Sequence, residues 1–545
     1  MTVAEPAVVK APPGCAPPTA SRIPEAPQPT GVPWLGLTAV LMGTFISTLT
    51  GRLSTFGLAD VRGALHAGFD EGAWITTAQT VALMLIAPFA VWAGSIYGPR
   101  LILLVSSLAF AAISLITPFS PNLDTFLALQ FLSGLASGCF IPLTLSFILR
   151  NMPPRMWAYG VAVYALNLEL SLNISASLEG WYVEHLNWHW IFWQNVPLAL
   201  IMALCLRLGL RTASIQITPI ATDWFGVTAS GVGLALIYAA LDQGNRLDWL
   251  NSGVIWGLLV AGVLVLAAFL IHELLTPYPW LNLKLLISPL PFLLILIGVL
   301  RLAILSTALL IPQYLGAVRN FRALEVGDTL IWIAVPQLVL CPLSAFMLRR
   351  IDPRATPVIG MTLIAIACLM VANGLTTDWG SDEFLPSQLT QALGQSLSLS
   401  GIVFFGVLYL KPQDALTFGA MLQIARIMGG EVGTAFISTL SRLREQRASN
   451  LIGQHVQSGA GDVVHRLQGY AALTGRSGTP NVAAGTSLLG HVVRSAATTQ
   501  GVIDSFVAVA TVTIVAFAVL MLLNPPPRGP ASHVPLFVRN RGETA

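Results

Sequence analysis

The stretch GVIWGLLVAGVLVLAAFLI, residues 253–271, contains no charged side chain. A helix that crosses the hydrocarbon of a bilayer needs about 20 predominantly apolar residues, and in lipid the backbone must satisfy its own N–H and C=O groups. This run therefore reads as one transmembrane α-helix. Working outward from it, the same reading gives fourteen spans: 34–58, 73–96, 101–119, 124–149, 157–179, 189–210, 223–242, 253–272, 289–314, 325–348, 356–375, 386–410, 415–440 and 502–524. The fold class expected is an all-α integral membrane protein of fourteen transmembrane helices.

Composition agrees. Of 545 residues, 55% are hydrophobic and 10% charged, against roughly a quarter charged in soluble domains, and the mean hydropathy is +0.73. The net charge is +3, and lysine occurs only at Lys10, Lys284 and Lys411, so there is no electrostatic footprint for nucleic acid. Cys15 lies in the Pro- and Ala-rich N-terminal stretch and Cys139, Cys205, Cys341 and Cys368 in or beside apolar runs, a distribution that implies no disulfide framework. Residues 1–32 lack the apolar core of a cleavable signal and read as a disordered cytoplasmic tail, as does 525–545. The Gly-, Ser- and Thr-rich segment 441–501 reads as a long, partly ordered periplasmic loop.

Positive charge sets the orientation, because Lys and Arg are retained on the cytoplasmic side. With the N-terminus inside, the inner segments hold Arg100, Arg150, Arg155, Arg207, Arg211, Lys284, Arg349, Arg350, Arg354 and Lys411, while the short outer loops hold only Arg62, Arg246, Arg319 and Arg322. Both termini are then cytoplasmic, in the inner membrane of a bacterium.

Several stretches carry a family resemblance. PNLDTFLALQFLSGLASGCFIPLTLSFILRNMPPRMWAYG (121–160), EGWYVEHLNWHWIFWQNVP (179–197), LDQGNRLDWLNS (241–252), IPQYLGAVRNFRALEVG (311–327) and ARIMGGEVGTAFISTLSRLREQ (425–446) resemble the fourteen-helix drug:proton antiporters of the major facilitator superfamily, the EmrB/QacA type. The resemblance implies an N-terminal six-helix bundle over 33–212, two additional helices over 213–275 and a C-terminal six-helix bundle over 276–524. The signature motifs depart from the family pattern. LTGRLSTFGLAD (49–60) has Thr50 where the first helix usually has Asp, and VWAGSIYGPR (91–100) keeps only Gly98 and Arg100 of the cytoplasmic gating loop, with Ser95 at its acidic position. Gln130 stands for the usual Arg of the fourth helix, beside retained Gly134 and Gly138, and SLNISA (171–176) replaces the fifth helix's Gly-Pro stretch.

An ionisable side chain at bilayer depth costs about 3 kcal/mol or more, so each should face a cavity or a partner. Five stand out: Arg52, Glu169, Arg301, Arg426 and Glu431. Glu169, Asn173 and Ser177 make one polar stripe, and Asn167, Ser171 and Ser175 another on the opposite side. Glu169 is the proton-coupling candidate in place of the missing Asp, with Arg52 as partner; the alternative is a static salt bridge. Arg301 reads as a structural pair or an anion contact, and Arg426, Gly430 and Glu431 as helix packing. Gln388, Gln391 and Gln395 read as cavity lining. Trp181, Trp188, Trp190 and Trp193 read as an interfacial belt. His185 and His189 lack the glutamate of H-E-x-x-H, so a metal site is not expected there, and there is no phosphate loop. No cofactor is implied.

The function expected is a secondary transporter, not an enzyme, that exports small amphipathic compounds in exchange for protons by alternating access. The alternatives are an organic-anion transporter with altered coupling, the anion held by Arg52 or Arg301, and a non-transporting membrane component. Beyond substrate, protons and membrane lipid, the resemblance implies a periplasmic adaptor and an outer-membrane channel as partners.

Overall fold

The computed structural model describes residues 33–152, 156–209, 223–276, 280–281, 289–410, 414–474 and 481–521. The expected tails 1–32 and 525–545, with Cys15, Lys10, Lys284 and Lys411, lie outside the described residues. Every regular element described is helical.

The long helices are α1 (Pro33–Phe56), α2 (Trp74–Ile96), α3 (Pro99–Ile116), α4 in two pieces (Leu123–Ser137 and Phe140–Asn151), α5 (Trp157–His185), α6 (Asn195–Gly209), α7 (Trp224–Gly244) and α8 (Gly253–Leu275). They continue as α9 (Leu290–Leu305, a π turn Ser306–Leu310, then Ile311–Val318), α10 (Ala323–Arg350), α11 (Ala355–Gly374), α12 (Leu385–Val407), α13 (Ala415–Gln457) and α14 (Val482–Met521). Twelve are long and apolar enough to cross a bilayer by themselves. The other two, α12 and the first half of α13, carry buried glutamines, serines and charges that lower their hydropathy. Together they make the fourteen expected. The face at which α1 begins is called the near face below, and the opposite one the far face.

Helices α1–α6 and α9–α14 form two bundles, with α7 and α8 packed as a pair against α2. The bundles meet mainly where α10 lies along α5 and where α13 lies against the second piece of α4. Membrane helices associate through close packing of small residues rather than by hiding apolar surface from water. Gly134 shows this: a Cβ there would sit 2.1 Å from the carbonyl oxygen of Gln79, so α4 and α2 touch backbone to backbone. Gly138 repeats the contact against Ile86. The outer surface is the inverse of a soluble protein's, with Leu264, Ile271 and Leu275 of α8 more than half exposed; an apolar face of that extent is at home only in hydrocarbon.

The segment 441–501 departs from its reading as a loop. Helix α13 continues unbroken to Gln457, a further helix covers Gly461–Thr474, and α14 starts at Val482. Leaving the bilayer does not end a helix when its flanking residues remain good helix formers and a partner is available. Here Arg444 of α13 pairs with Asp504 of α14 at 3.6 Å, and Gly501 lies against the Ser441 carbonyl.

Candidate functional site

A cavity of about 300 Å³ lies between the two bundles, walled by α1, α2, α5, α7, α9 and α13. Its lining on α1 is Ser47, Thr48, Gly51, Arg52 and Thr55, one face of a helix at spacings of three and four. Thr55 is exposed, so the cavity opens toward the far face. At the near face it is sealed. Ile141, Leu145 and Ile148 of α4 join Leu290, Leu293, Phe404 and Phe418 of the second bundle in one apolar core, and Gly419 of α13 packs onto the Pro142 carbonyl of α4.

Three guanidiniums face this space. Arg52 donates to the Ala308 carbonyl at 2.9 Å and lies over the Phe56 ring. That carbonyl is available because the residue that would donate to it in an α-helix is Pro312, which has no N–H; the π turn of α9 is the same irregularity. Arg426 is 6% exposed and donates to Thr48 at 3.3 Å, while Arg301 Nε has no partner. Gly430 leaves room beside Arg301, a Cβ there standing 3.8 Å from Nε. None of the three makes an ion pair among the described residues.

Two carboxylates occupy the other side. Asp242 on the last turn of α7 accepts from Thr77 of α2 and from Gln243, and Gln243 also takes the Arg246 guanidinium, which reaches out to Asp70 at 2.7 Å. Glu431 of α13 lines the cavity with Tyr238, one turn before Asp242 on α7. Sequence reading placed Tyr238 and Asp242 within the span 223–242 but did not count Asp242 among the charges at bilayer depth. The i, i+4 spacing of Tyr238 and Asp242 was the available signal.

Several expected roles change. Arg426 and Glu431 line the cavity together with Gly430 instead of serving as plain packing; they are five positions apart, and the cavity is wide enough to meet both. The tight crossing falls one residue earlier, where a Cβ on Gly429 would lie 2.2 Å from the Gly298 Cα of α9. Glu169 is fully buried, neither carboxylate oxygen has a partner, and Arg52 does not pair with it. Arg52 is taken by the Ala308 carbonyl, and the cations whose charge reaches Glu169 are Arg301 and Arg426.

Asn173, Gln391 and Gln395 do not line the cavity. Asn173 donates to Gln337 of α10 at 3.3 Å and to Gln395 of α12 at 3.2 Å. Gln337 donates to Gln395 at 3.1 Å, Gln395 to Thr307 at 3.3 Å and Gln391 to Ser306 at 2.8 Å. These amides clamp α5, α9, α10 and α12 to one another. Gln388 is buried on the same stripe with no partner. The stripe is real, but at Gln391 and Gln395 it is met by neighbouring helices rather than by a cavity.

Toward the near face, Gly98 has φ +81°, a conformation that favours glycine, and Arg100 donates to the Arg207 carbonyl of α6 at 3.2 Å. Gln130 is buried in α4 with its amide unpartnered. In the belt, Trp181 and Trp190 are exposed, whereas Trp188 is partly buried against the Phe192 cluster. His189 faces Asn187, and burial holds its imidazole below the ordinary value; His185 faces the Trp181 carbonyl.

The family profile described as Major Facilitator Superfamily matches residues 40–434. The chain belongs to the major facilitator superfamily. Within it, the chain is 29% identical over 434 residues to the probable multidrug resistance protein EmrY of Escherichia coli K12, covering 77% of this chain and 82% of that protein. It is 26% identical to the multidrug export protein EmrB of Haemophilus influenzae over 77% of this chain and 82% of that one. It is 23% identical to the fatty acid resistance protein FarB of Neisseria gonorrhoeae over 90% and 96%. These relatives bear out the resemblance to the EmrB/QacA type. Among solved structures, the human organic anion transporter MFSD10 superposes with a TM-score of 0.57 at 13% identity, covering 90% of this chain and 99% of that one. The proton:xylose symporter XylE superposes with a TM-score of 0.56 at 11% identity over 91% and 96%. These two share the fold. This major facilitator protein is a multi-pass membrane transporter, not an enzyme.

Proposed function

We propose that this transporter exports small amphipathic compounds across a bacterial cytoplasmic membrane in exchange for protons, the bundles of 33–212 and 276–524 alternating about the cavity and 213–275 forming the added pair. Both termini are cytoplasmic in this reading, so the near face is the inner one and the projecting helices are periplasmic. The observation that carries it is a cavity walled by both bundles, open at the far face, sealed at the near face and lined by Arg52, Arg301, Arg426, Asp242 and Glu431. Relatives named for multidrug export and resistance support the direction and the breadth of substrate. Charges held at that depth have no use in a scaffold.

Glu169 is the proton-coupling group in this proposal, buried without a hydrogen-bond partner behind Arg301 and Arg426. The test is export from proteoliposomes with and without a collapsed proton gradient. Glu169→Gln is expected to export at a rate that no longer rises with the gradient, and full retained dependence would remove Glu169 from the role. The helices beyond the bilayer, 441–501, supply the docking surface for a periplasmic adaptor and, through it, an outer-membrane channel. Co-purification with such an adaptor, lost when Gly461–Thr474 is replaced by a short linker, is the expected result.

A second reading, transport of an organic anion, is favoured by the three guanidiniums that have no carboxylate partner among the described residues. A relative named for fatty acid resistance agrees with it. Octanoate would then compete with the exported compound, and Arg301→Gln would abolish the competition.

A further inference from the structure

The charges around the cavity fall into two sets that act within themselves. Arg301 feels Arg426, Glu169 and Arg52, and Arg426 feels Tyr164 and Glu169. Glu431 feels Asp242 and Tyr238, and Asp242 feels Arg246. One side thus presents guanidiniums on α1, α9 and α13, and the other presents carboxylates on α7 and α13.

Several buried donors around the cavity are unsatisfied. Arg301 Nε and Gln79 Nε2 are buried donors without an acceptor, and Gln79, 2% exposed, lines the cavity from α2. They ask for a ligand oxygen. Glu431 and Asp242, facing one low-dielectric space with no cation between them, ask for a positive charge, because neighbouring carboxylates there cannot both stay ionised alone. The groups facing the pair are Tyr238 of α7 and Arg246 just beyond its end, Arg426 of α13, Arg301 of α9 and Arg52 of α1, while α2 presents only Thr76, Thr77, Gln79 and Thr80. Arg246 is turned away, held by Gln243 and Asp70.

We infer that the cavity binds a zwitterionic amphiphile, its carboxylate or phosphate on Arg301 and Arg426 and its ammonium between Asp242 and Glu431, where it displaces a proton. This rests on the export reading above and narrows its substrate class. The exchange balances: an ammonium arrives at the carboxylate pair, one proton leaves it, and no covalent bond changes. It also gives exchange the right sign. An ammonium at Asp242 and Glu431 competes with the proton, which is what opposite movement requires. The added helix α7, outside both bundles, thereby supplies part of the substrate site.

The test uses the full chain in nanodiscs with three probes of one tail: N-octyl-β-alanine, octanoate and octylamine. Titration calorimetry in two buffers of different ionisation enthalpy counts protons released. The zwitterion is expected to bind at least about tenfold tighter than either single charge and to release about one proton. In Asp242→Asn and Glu431→Gln the tenfold preference for zwitterion over anion collapses and the proton release disappears. Arg301→Gln weakens zwitterion binding but keeps proton release per ligand bound, a control that a misfolded cavity would fail. Equal affinity for the three probes, simultaneous binding of octanoate and octylamine at full strength, or proton release that survives both acid variants would overturn the inference. If the zwitterion binds and displaces a proton but no gradient drives its export, the export reading falls and the site stands. If all three probes are exported with no preference, the export reading stands and the site falls.

Discussion

Gly419→Ala should open the near face. An ideal Cβ on Gly419 would lie 2.5 Å from the Pro142 carbonyl oxygen and 3.0 Å from its Cα, and neither atom is the end of a flexible side chain. Contact at ordinary van der Waals distance requires α13 and α4 to separate by roughly 1 Å in an interior already packed like a crystal. Overpacking of this kind costs about 1–3 kcal/mol. The cost exists only while the two helices touch, which is the state with the near face closed. The equilibrium between the two access states therefore moves roughly 5- to 150-fold toward the state with the near face open. The assay is labelling of Thr55→Cys, at the mouth of the cavity, with a membrane-impermeant maleimide from the far side. Cys139, Cys341 and Cys368 are buried and give little background. Labelling in the Gly419→Ala background should slow at least about twofold, with only a modest loss of melting temperature. Unchanged labelling together with a melting temperature lower by several degrees would mean that the helices touch in both states, and the seal would not be a gate.

Gly429→Ala drives a methyl toward the Gly298 Cα at 2.2 Å, whereas Gly430→Ala meets nothing nearer than 3.8 Å; the first should lower the melting temperature in detergent by several degrees and the second by no more than about 0.5 kcal/mol of stability. Gln395→Leu removes the acceptor of the Gln337 amide, at about 1–3 kcal/mol for the orphaned buried group, while Asn173 keeps the Glu169 carbonyl and Gln337, and Thr307 keeps the Ile304 carbonyl. Thermal unfolding reads the loss, and a stable variant with an altered substrate range would show that the amides face the cavity after all. The exposed Glu383 carboxylate accepts from the Gly380 N–H at 2.8 Å, which holds it below the ordinary carboxylate value of 4.5. Its contribution is therefore present above that value and lost as pH falls through the lower folded one; Glu383→Gln should flatten the acid limb of a stability profile and leave the neutral limb unaltered.

The spans were legible because hydrocarbon leaves so few solutions: GVIWGLLVAGVLVLAAFLI can be little else than a crossing helix. The positions of Arg52, Arg301 and Gly134 were legible for the same reason, since a guanidinium or a retained small residue within an apolar run stands out. What those residues touch was not. The glutamine stripe of α12 has the period of a helix face, but periodicity says only that Gln388, Gln391 and Gln395 share a side. Ser306, Thr307 and Asn173 across the interface determined that it would be a clamp. Asp242 was passed over as the last residue of the span 223–242, where hydropathy falls toward the surface, although the helix continues to Gly244. Arg426 and Glu431 read, with Gly430 beside them, as helix packing. The cavity is broad enough to receive both.

Helix α13 is one rod from Ala415 to Gln457, and at 1.5 Å per residue its length of about 64 Å is twice the hydrocarbon thickness. Gln457 therefore stands about 39 Å along the axis from Glu431. A tilt of about 10° around Glu431 swings that tip through about 7 Å. Whatever happens at the carboxylate is thus broadcast, mechanically and without an intermediary, well clear of the bilayer, and a probe attached near Gln457 becomes a pointer on which each turnover can be watched.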